Sequence, residues 1–358
     1  MSTPPLDLLD QPPLTPEELT HLEDLGRRIL STADDVVAFQ AEAILALEAV
    51  ARSVAAPGRR ALNVVTGPYG AVFGGWMREM GADVLDVVSP FDSVATADAV
   101  ATAIAQHRPE VVALVQAEAA TGGSNPTADI IALARAAGAL TVLDAVAAIG
   151  AEPVPVDAWG VDIAVIGGQK ALAGPAGVSL VSVSDAAWRL IDRTPSAPRG
   201  SSLSLTDWRD GWLRTDRTAI PGLPSWLESR ALVQALERVL DEGLDAVNLR
   251  HRRAAAATLA GAHALGIAPW QTAAPRGAAP VVTALRTPTT AEPSDVPWGG
   301  VLSPGNGALR DAIIRVNHVG RAASLEAVSD ALVRLAETRG TDPGAAIEAA
   351  HRAWHATS

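Results

Sequence analysis

Short apolar runs alternate along the chain with longer segments of helical periodicity. The runs have little polar alternation, which predicts strands buried on both faces of a sheet. The predicted strands are residues 61–65, 84–88, 111–115, 140–143, 163–166 and 178–183, and the predicted helices are 42–55, 71–80, 96–106 and 127–137. This alternation of strands and helices indicates an α/β domain with a mostly parallel sheet.

The two ends of the chain depart from this pattern. A Pro-rich N-terminus leads into a helix from Pro16 to about Leu30, capped by Thr15. A crossover rich in Pro, Gly, Ser and Trp follows the alternating strands and helices, and a long bent helix is predicted after it from Ser225 to Leu265. This helix begins a smaller α+β region. The other predicted elements of that region are strands near 281–285 and 313–316, a helix at 325–338 and a helical tail from Asp342. We therefore predict an N-terminal arm and helix, a large α/β domain and a small C-terminal α+β domain, at residues 1–30, 31–230 and 231–358.

Composition removes several classes of partner and site. The 358 residues carry a net charge of −12 and include no cysteine. The negative charge disfavours nucleic acid, and the lack of cysteine excludes disulfides, thiolate nucleophiles and cysteine-based metal sites. No apolar run reaches the roughly 18 residues of a membrane span, and the N-terminus lacks a signal-peptide pattern. We expect a soluble cytoplasmic protein without a membrane or nucleic-acid partner, and we predict no metal site.

Lysine usage points to a specific chemistry. Of 28 basic residues, Lys170 is the one lysine, and the others are arginines. A guanidinium cannot replace an amine that must lose its proton and condense with a carbonyl, so the single lysine suggests such an amine. The alternative explanation is that this lysine was retained by chance. Lys170 follows a predicted strand within GGQKALAGPAG, where glycines allow a flat ligand to approach the backbone.

Two more polar residues follow predicted strands. Asp144 lies in LTVLDAV, and Tyr69, the one tyrosine of the chain, lies in the turn TGPYG. Ligands gather at the carboxyl ends of parallel strands, so we expect both residues near Lys170. A structural ion pair between Asp144 and Lys170 is the alternative to a pyridoxal-type site. In such a site a lysine condenses with the aldehyde, an acid pairs with the ring nitrogen and an aromatic ring covers one face.

The run VDAWGVDIAVIGGQKALAGPAGVSLV, preceded by TVLDAVAAIG and ATGGSNP, resembles the class V fold-type I aminotransferases, which include the alanine– and serine–glyoxylate enzymes. The resemblance extends from about Val36 to Val319. It implies a large domain with a seven-stranded, mostly parallel sheet, and a homodimer or dimer of dimers with shared active sites. The substrates would be a small amino acid and a keto acid.

The same resemblance assigns roles to individual residues. Lys170 would form the Schiff base with the aldehyde, and Asp144 would pair with the pyridine nitrogen. Tyr69 would stack on the ring, and Val146 and Gln169 match cofactor-binding positions. Arg315, in AIIRVNHVG, matches the arginine that binds the substrate carboxylate.

The segment FQAEAILALE, residues 39–48, departs from the family pattern where the cofactor phosphate would be held. It has no hydroxyl group, and it contains Glu42. A carboxylate a few ångströms from a phosphate would cost roughly several kcal/mol at an effective dielectric constant near 20. A capping role for Glu42 at the helix N-terminus is the alternative.

This segment and APRGSSLSLTDWRDGW, at 197–212, resemble the pyridoxamine–pyruvate aminotransferases, a group within the family that takes the free vitamer as a substrate. The resemblance implies the reaction pyridoxamine + pyruvate ⇌ pyridoxal + L-alanine. Glu42 would accept a hydrogen bond from the ring's hydroxymethyl group. Ala43, with Ile220 of the partner subunit, would occupy the space of the phosphate.

Other positions leave the keto acid open. Asn306 stands where that group has a second arginine, and Gln116, Glu118 and Ala120 stand where the family usually has His, a polar or acidic residue and Ser or Pro. Two alternative functions therefore remain. One is a pyridoxal phosphate-dependent glyoxylate-type aminotransferase or C–S lyase, and the other is a non-catalytic fold-type I binding protein.

Overall fold

The computed structural model describes residues 11–358 except 219, 221, 275, 288–295 and 297. Its strands, in chain order, are β1 Asp35–Phe39, β2 Arg60–Val65, β3 Asp83–Val88, β4 Val111–Val115, β5 Ala117–Glu118, β6 Gly123–Ser124, β7 Leu140–Asp144, β8 Ile163–Gly167, β9 Ser179–Val183, β10 Val282–Arg286, β11 Leu302–Pro304 and β12 Ile313–Asn317. Its helices are α1 Pro16–Leu30, α2 Ala43–Val54, α3 Pro68–Glu79, α4 Ala97–His107, α5 Thr127–Ala136, α6 Val156–Trp159, α7 Asp185–Asp192, α8 Leu205–Trp208, α9 Trp226–Glu242, α10 Leu244–Ala264, α11 Leu325–Thr338 and α12 Gly344–Ala356. No helix in the described ranges is both long enough and apolar enough to span a bilayer.

A seven-stranded sheet in the order β1-β9-β8-β7-β4-β2-β3 forms the centre of the large domain. The five strands from β8 to β3 run parallel, whereas β9 and β1 pair antiparallel at one side. This confirms the predicted mostly parallel α/β sheet. The apolar pattern had not predicted β1, whose sequence DVVAF becomes a strand by pairing with β9.

Helix boundaries follow local sequence signals closely. The hydroxyl of Thr15 accepts a hydrogen bond from the Glu18 N–H at 3.2 Å, and the Glu18 carboxylate accepts one from the Thr15 N–H at 3.0 Å. This reciprocal capping box begins α1 at Pro16, as predicted. The long bent helix is also confirmed: it is divided into α9 and α10 at Gly243, whose φ of +87° favours glycine.

The buried apolar residues form two clusters. The larger packs between the seven-stranded sheet, its covering helices and α1, and it includes Leu232 and Leu236 of α9. The smaller lies among α10, α11, α12 and the antiparallel sheet β10-β12-β11. The change from one cluster to the other falls within α10. The predicted domain boundary at residue 230 stays a prediction.

The crossover at 185–225 contains regular structure that its composition did not indicate: α7, α8 and a π-helical turn at Arg209–Leu213. Two tryptophans attach it to β1 and α1. The Trp188 indole donates to Asp35 at 2.9 Å, and the Trp212 indole donates to Glu23 at 2.6 Å. These helices are short, so their packing and polar anchors stabilise them more than local propensity does.

Glu23 predicts a pH-dependent contribution to stability. Its side chain is fully buried, and burial raises its pKa to about 7 although Trp212 and Arg217 donate hydrogen bonds to it. The folded chain therefore holds a proton that the unfolded chain releases above pH 4.5. The resulting stabilisation is complete below that pH and is lost as the pH rises through 7; it amounts to about 3 kcal/mol.

We expect Glu23→Gln to remove this part of the pH dependence. Urea unfolding at pH 5 and pH 8 should give a smaller difference in the free energy of unfolding for the variant than for the parent protein. Glu17→Gln, on the exposed side of α1, is the control. An unchanged difference in Glu23→Gln would mean that Glu23 is ionised in the folded protein at both pH values.

Candidate active site

One cavity at the carboxyl end of the parallel strands brings together most of the predicted site. Lys170 lines it together with six other residues singled out from the sequence: Glu42, Ala43, Tyr69, Asp144, Val146 and Gln169. The topology explains this convergence. Asp144 ends β7, Lys170 follows β8 by three residues and Tyr69 lies in the first turn of α3, just after β2. Strands β7 and β8 are parallel neighbours, so their carboxyl ends lie at the same edge of the sheet.

Asp144 is suited to pair with a protonated ring nitrogen. Its Oδ1 accepts a hydrogen bond from the Val146 N–H at 3.0 Å, which fixes the carboxyl group. Burial raises its pKa to about 6; Glu42 acts in the same direction, and the Val146 N–H and Lys170 oppose it. Asp144 is therefore mostly ionised at neutral pH and can accept a hydrogen bond from a cationic N–H group.

Lys170 lies in an environment that favours its neutral amine. Burial lowers its pKa, and the positive charge of Arg315 lowers it further, while Glu42, Asp144 and Glu118 raise it. The neutral amine is the nucleophilic form that condenses with a carbonyl group. Lys170 and Asp144, both in the described part of the chain, do not form an ion pair, which disfavours the purely structural interpretation.

Glu42 serves two structural purposes at the start of α2. Its Oε2 accepts a hydrogen bond from the Ile44 N–H at 3.0 Å, so it is the N-cap of the helix. Its Oε1 accepts a hydrogen bond from the Gln169 side-chain amide at 2.5 Å, and Glu42 also lines the cavity. The sequence left a cap and a pocket anion as alternatives, and the structure places the carboxylate in both positions.

Arg315 comes to the site from the small domain. It lies on β12, where its Nε donates to the Pro304 carbonyl at 2.9 Å and its Nη2 donates to Asn306 Oδ1 at 3.1 Å. Its charge helps to lower the pKa of Lys170 and opposes the rise in the pKa of Tyr69, although Arg315 is not among the residues that line the cavity. Asn306 thus orients the arginine that would bind a carboxylate.

Two residues considered from the sequence lie elsewhere in this chain. Ile220 packs, partly buried, against the larger apolar cluster, and its predicted contribution to the site of a partner subunit stays a prediction. Gln116 does not line the cavity, and its side-chain amide donates to the Pro153 carbonyl at 3.1 Å.

Sequence reasoning missed part of the cavity wall. Val115, Ala117 and Ala119 line it, and the buried Glu118 lies between the two alanines. The position of this segment directly after β4, at the same sheet edge as Asp144, is the signal that could have identified it.

Comparisons with known proteins agree with this geometry. The family model described as aminotransferase class V matches residues 27–283. The chain belongs to the class V aminotransferases. It is 33% identical over 305 residues to the pyridoxamine–pyruvate transaminase of Mesorhizobium japonicum, with 83% of this chain and 77% of that protein covered. This class V aminotransferase is accordingly a transaminase with the fold-type I architecture.

Solved structures extend the comparison to nearly the whole chain. The crystal structure of pyridoxamine–pyruvate aminotransferase from Mesorhizobium loti matches with a TM-score of 0.90 and 31% identity, over 96% of this chain and 91% of that one. Ureidoglycine–glyoxylate aminotransferase from Bacillus subtilis matches with a TM-score of 0.87 at 24% identity, over 97% and 93% of the two chains, which supports the fold alone.

Class V aminotransferases depend on pyridoxal phosphate, and the residues of this chain fit the two parts of that molecule differently. The aromatic part fits, because Asp144, Tyr69, Val146 and Lys170 surround one cavity. The end of the cavity beside α2 carries a carboxylate. At the start of α2 the Ile44 N–H already donates to the Glu42 carboxylate, and the adjoining wall is formed by the apolar residues Ala43, Ile44 and Leu47.

Proposed function

We propose that this class V aminotransferase transfers the amino group of free pyridoxamine to pyruvate, giving pyridoxal and L-alanine. The observation that carries the proposal is the Glu42 carboxylate, which occupies the N-terminus of α2 and faces the cavity. A phosphate placed there would meet a negative charge instead of free N–H groups and hydroxyls. Two unit charges about 4 Å apart repel by about 4 kcal/mol at an effective dielectric constant of 20.

The unphosphorylated vitamer carries a hydroxymethyl group at the same position. Its hydroxyl can donate a hydrogen bond to the Glu42 carboxylate, so the feature that repels phosphate would bind this substrate. Ala43 then lies beside the hydroxymethyl group, and Ile220 of the partner subunit would complete the apolar wall in a homodimer or dimer of dimers.

The remaining residues have separate tasks. The pyridine ring supplies an electron sink when bound. Asp144 holds a proton on the ring nitrogen, and Tyr69 covers one face of the ring. The Lys170 amine condenses with the aldehyde and, when free, carries the proton that the reaction moves. Arg315 binds the carboxylate of alanine or pyruvate through its planar guanidinium, which Asn306 and Pro304 orient.

Two relatives support this choice of substrates, since one curated protein and one solved structure with pyridoxamine and pyruvate in their names match most of the chain. The second candidate is a pyridoxal phosphate-dependent glyoxylate-type aminotransferase. It is favoured by the family's dependence on the phosphorylated cofactor and by 27% identity to a (S)-ureidoglycine–glyoxylate transaminase over 341 residues.

The substitution Glu42→Ser separates the two candidates. Serine is a good N-cap, so α2 should keep its start while the cavity loses a negative charge. In absorbance titrations we expect the parent protein to bind pyridoxal more tightly than pyridoxal phosphate, and Glu42→Ser to shift the ratio of the two dissociation constants towards the phosphate by about tenfold or more.

Glu48→Gln is the matched control for the charge change. Glu48 lies on the same helix and pairs with Arg52 at 2.7 Å. The substitution Glu48→Gln should leave the ratio of the two dissociation constants unchanged. Tighter binding of pyridoxal phosphate by the parent protein, or an unaltered ratio in Glu42→Ser, would favour the second candidate.

A further inference from the structure

Glu118 is a fully buried acid next to the wall of the cavity. It belongs to the two-residue strand β5, and its neighbours Ala117 and Ala119 both line the cavity. Glu118 itself is not among the residues that line the cavity. It faces Gly67, where an added methyl group would overlap its carboxyl group.

Helix α3 begins at this contact without a cap of its own. Pro68 is its first residue, and the N-cap position is held by Gly67, which has no side chain. The Glu118 Oε1 accepts a hydrogen bond from the Ala120 N–H at 3.3 Å. Its buried Oε2, which an added methyl group at Gly67 would meet, has no hydrogen-bond partner among the described residues. The N–H groups of Tyr69 and Gly70 lie close enough to this carboxyl to favour its ionised form. These are the second and third residues of the helix, whose N–H groups an N-cap side chain normally accepts.

We propose that Glu118 is a positioning residue whose carboxyl group replaces the missing N-cap side chain of α3 and thereby holds Tyr69 against the ring site. Gly67 is required because only a residue without a side chain leaves room for this carboxyl. The proposal rests on the proposed function only in identifying the ring as that of pyridoxal. Capping of α3 by Glu118 is a property of the ligand-free protein.

The charge state of Glu118 fits this arrangement. It faces Asp144 on β7, Tyr69 on α3 and Lys170 after β8. Burial, followed by the charge of Asp144, raises its pKa to about 8. Near pH 7 its neutral carbonyl oxygen can accept the helix N–H groups without placing a second negative charge beside Asp144. Above pH 8 it ionises, and its charge then raises the pKa of the Tyr69 phenol.

Tyr69 reports on this contact because it is the one tyrosine in the chain. The phenol can be titrated in the ligand-free protein by the near-ultraviolet absorbance of its phenolate. We expect Glu118→Gln to shift this titration to lower pH, since the amide keeps the carbonyl acceptor and removes the charge. Glu152→Gln is the control: that buried carboxyl accepts a hydrogen bond from Ser124 at 2.6 Å, and its replacement should leave the Tyr69 titration unchanged.

Pyridoxal binding at pH 7 provides the second measurement. We expect Glu118→Gln to keep the dissociation constant within about twofold and Glu118→Ala, which removes the acceptor, to weaken binding about fivefold or more. An unchanged Tyr69 titration in Glu118→Gln, or equal losses of binding in the two variants, would overturn the proposal. Should Glu118→Ala fail to fold, the comparison of Glu118→Gln with the parent protein decides. If the protein prefers pyridoxal phosphate, the comparison of Glu118→Gln with Glu118→Ala made with that ligand still tests the cap.

Discussion

Replacement of Lys170 by arginine is expected to lower kcat for pyridoxamine-dependent formation of alanine from pyruvate by about 10⁴-fold or more. A guanidinium stays protonated, so it can neither condense with an aldehyde nor accept the proton that the reaction moves. The chain has no other lysine that could take its place. The rate should be measured under saturating pyridoxamine and pyruvate, so that weakened binding does not mimic a loss of chemistry.

Two further measurements separate chemistry from folding. Borohydride reduction in the presence of pyridoxal should attach one pyridoxyl group to the peptide containing Lys170, and Lys170→Arg should lack this label. Lys170→Ala assayed with added methylamine should regain part of the rate, because a small amine can enter the space that the side chain leaves. Activity retained by Lys170→Arg would contradict the role assigned to this residue.

The substitution Asp144→Asn should produce the next largest effect, a fall in kcat of roughly 10²–10³-fold. Asparagine keeps an oxygen that can accept the Val146 N–H, so the loop should retain its shape. The amide lacks the charge that holds a proton on the ring nitrogen. Asp86→Asn on β3 removes a carboxylate elsewhere in the same sheet, where it pairs with Arg78, and serves as the control.

The pH dependence of binding tests the same carboxyl group. Burial raises the pKa of Asp144 to about 6, and the ionised form is the one that accepts the ring N–H. Affinity for pyridoxamine should therefore fall as the pH drops below 6, by up to tenfold per pH unit. This acid limb should be absent in Asp144→Asn. An acid limb of equal size in both proteins would assign the titration to another group.

Many features of this protein could be predicted locally. Capping residues and hydrophobic periodicity located α1, α2 and most strands of the large sheet, because helix starts and buried strands depend on residues close together in the chain. Asp144 and Lys170 could be placed near each other because each follows a strand of one parallel sheet. Because the chain has a single lysine, Lys170 could be predicted as the reacting amine before any contact was known.

Other features depend on residues far apart in sequence, which no local pattern specifies. The sequence alone determined that this is an α/β chain with one lysine, and it predicted that this lysine and an acid lie at the edge of a parallel sheet. Only the tertiary structure decided that Glu42 both caps α2 and contacts Gln169, that the charge of Arg315 acts on Lys170, and that Glu118 meets the uncapped start of α3. The physical reason is that periodicity and capping act over a few residues, whereas these contacts form only when distant segments are packed together.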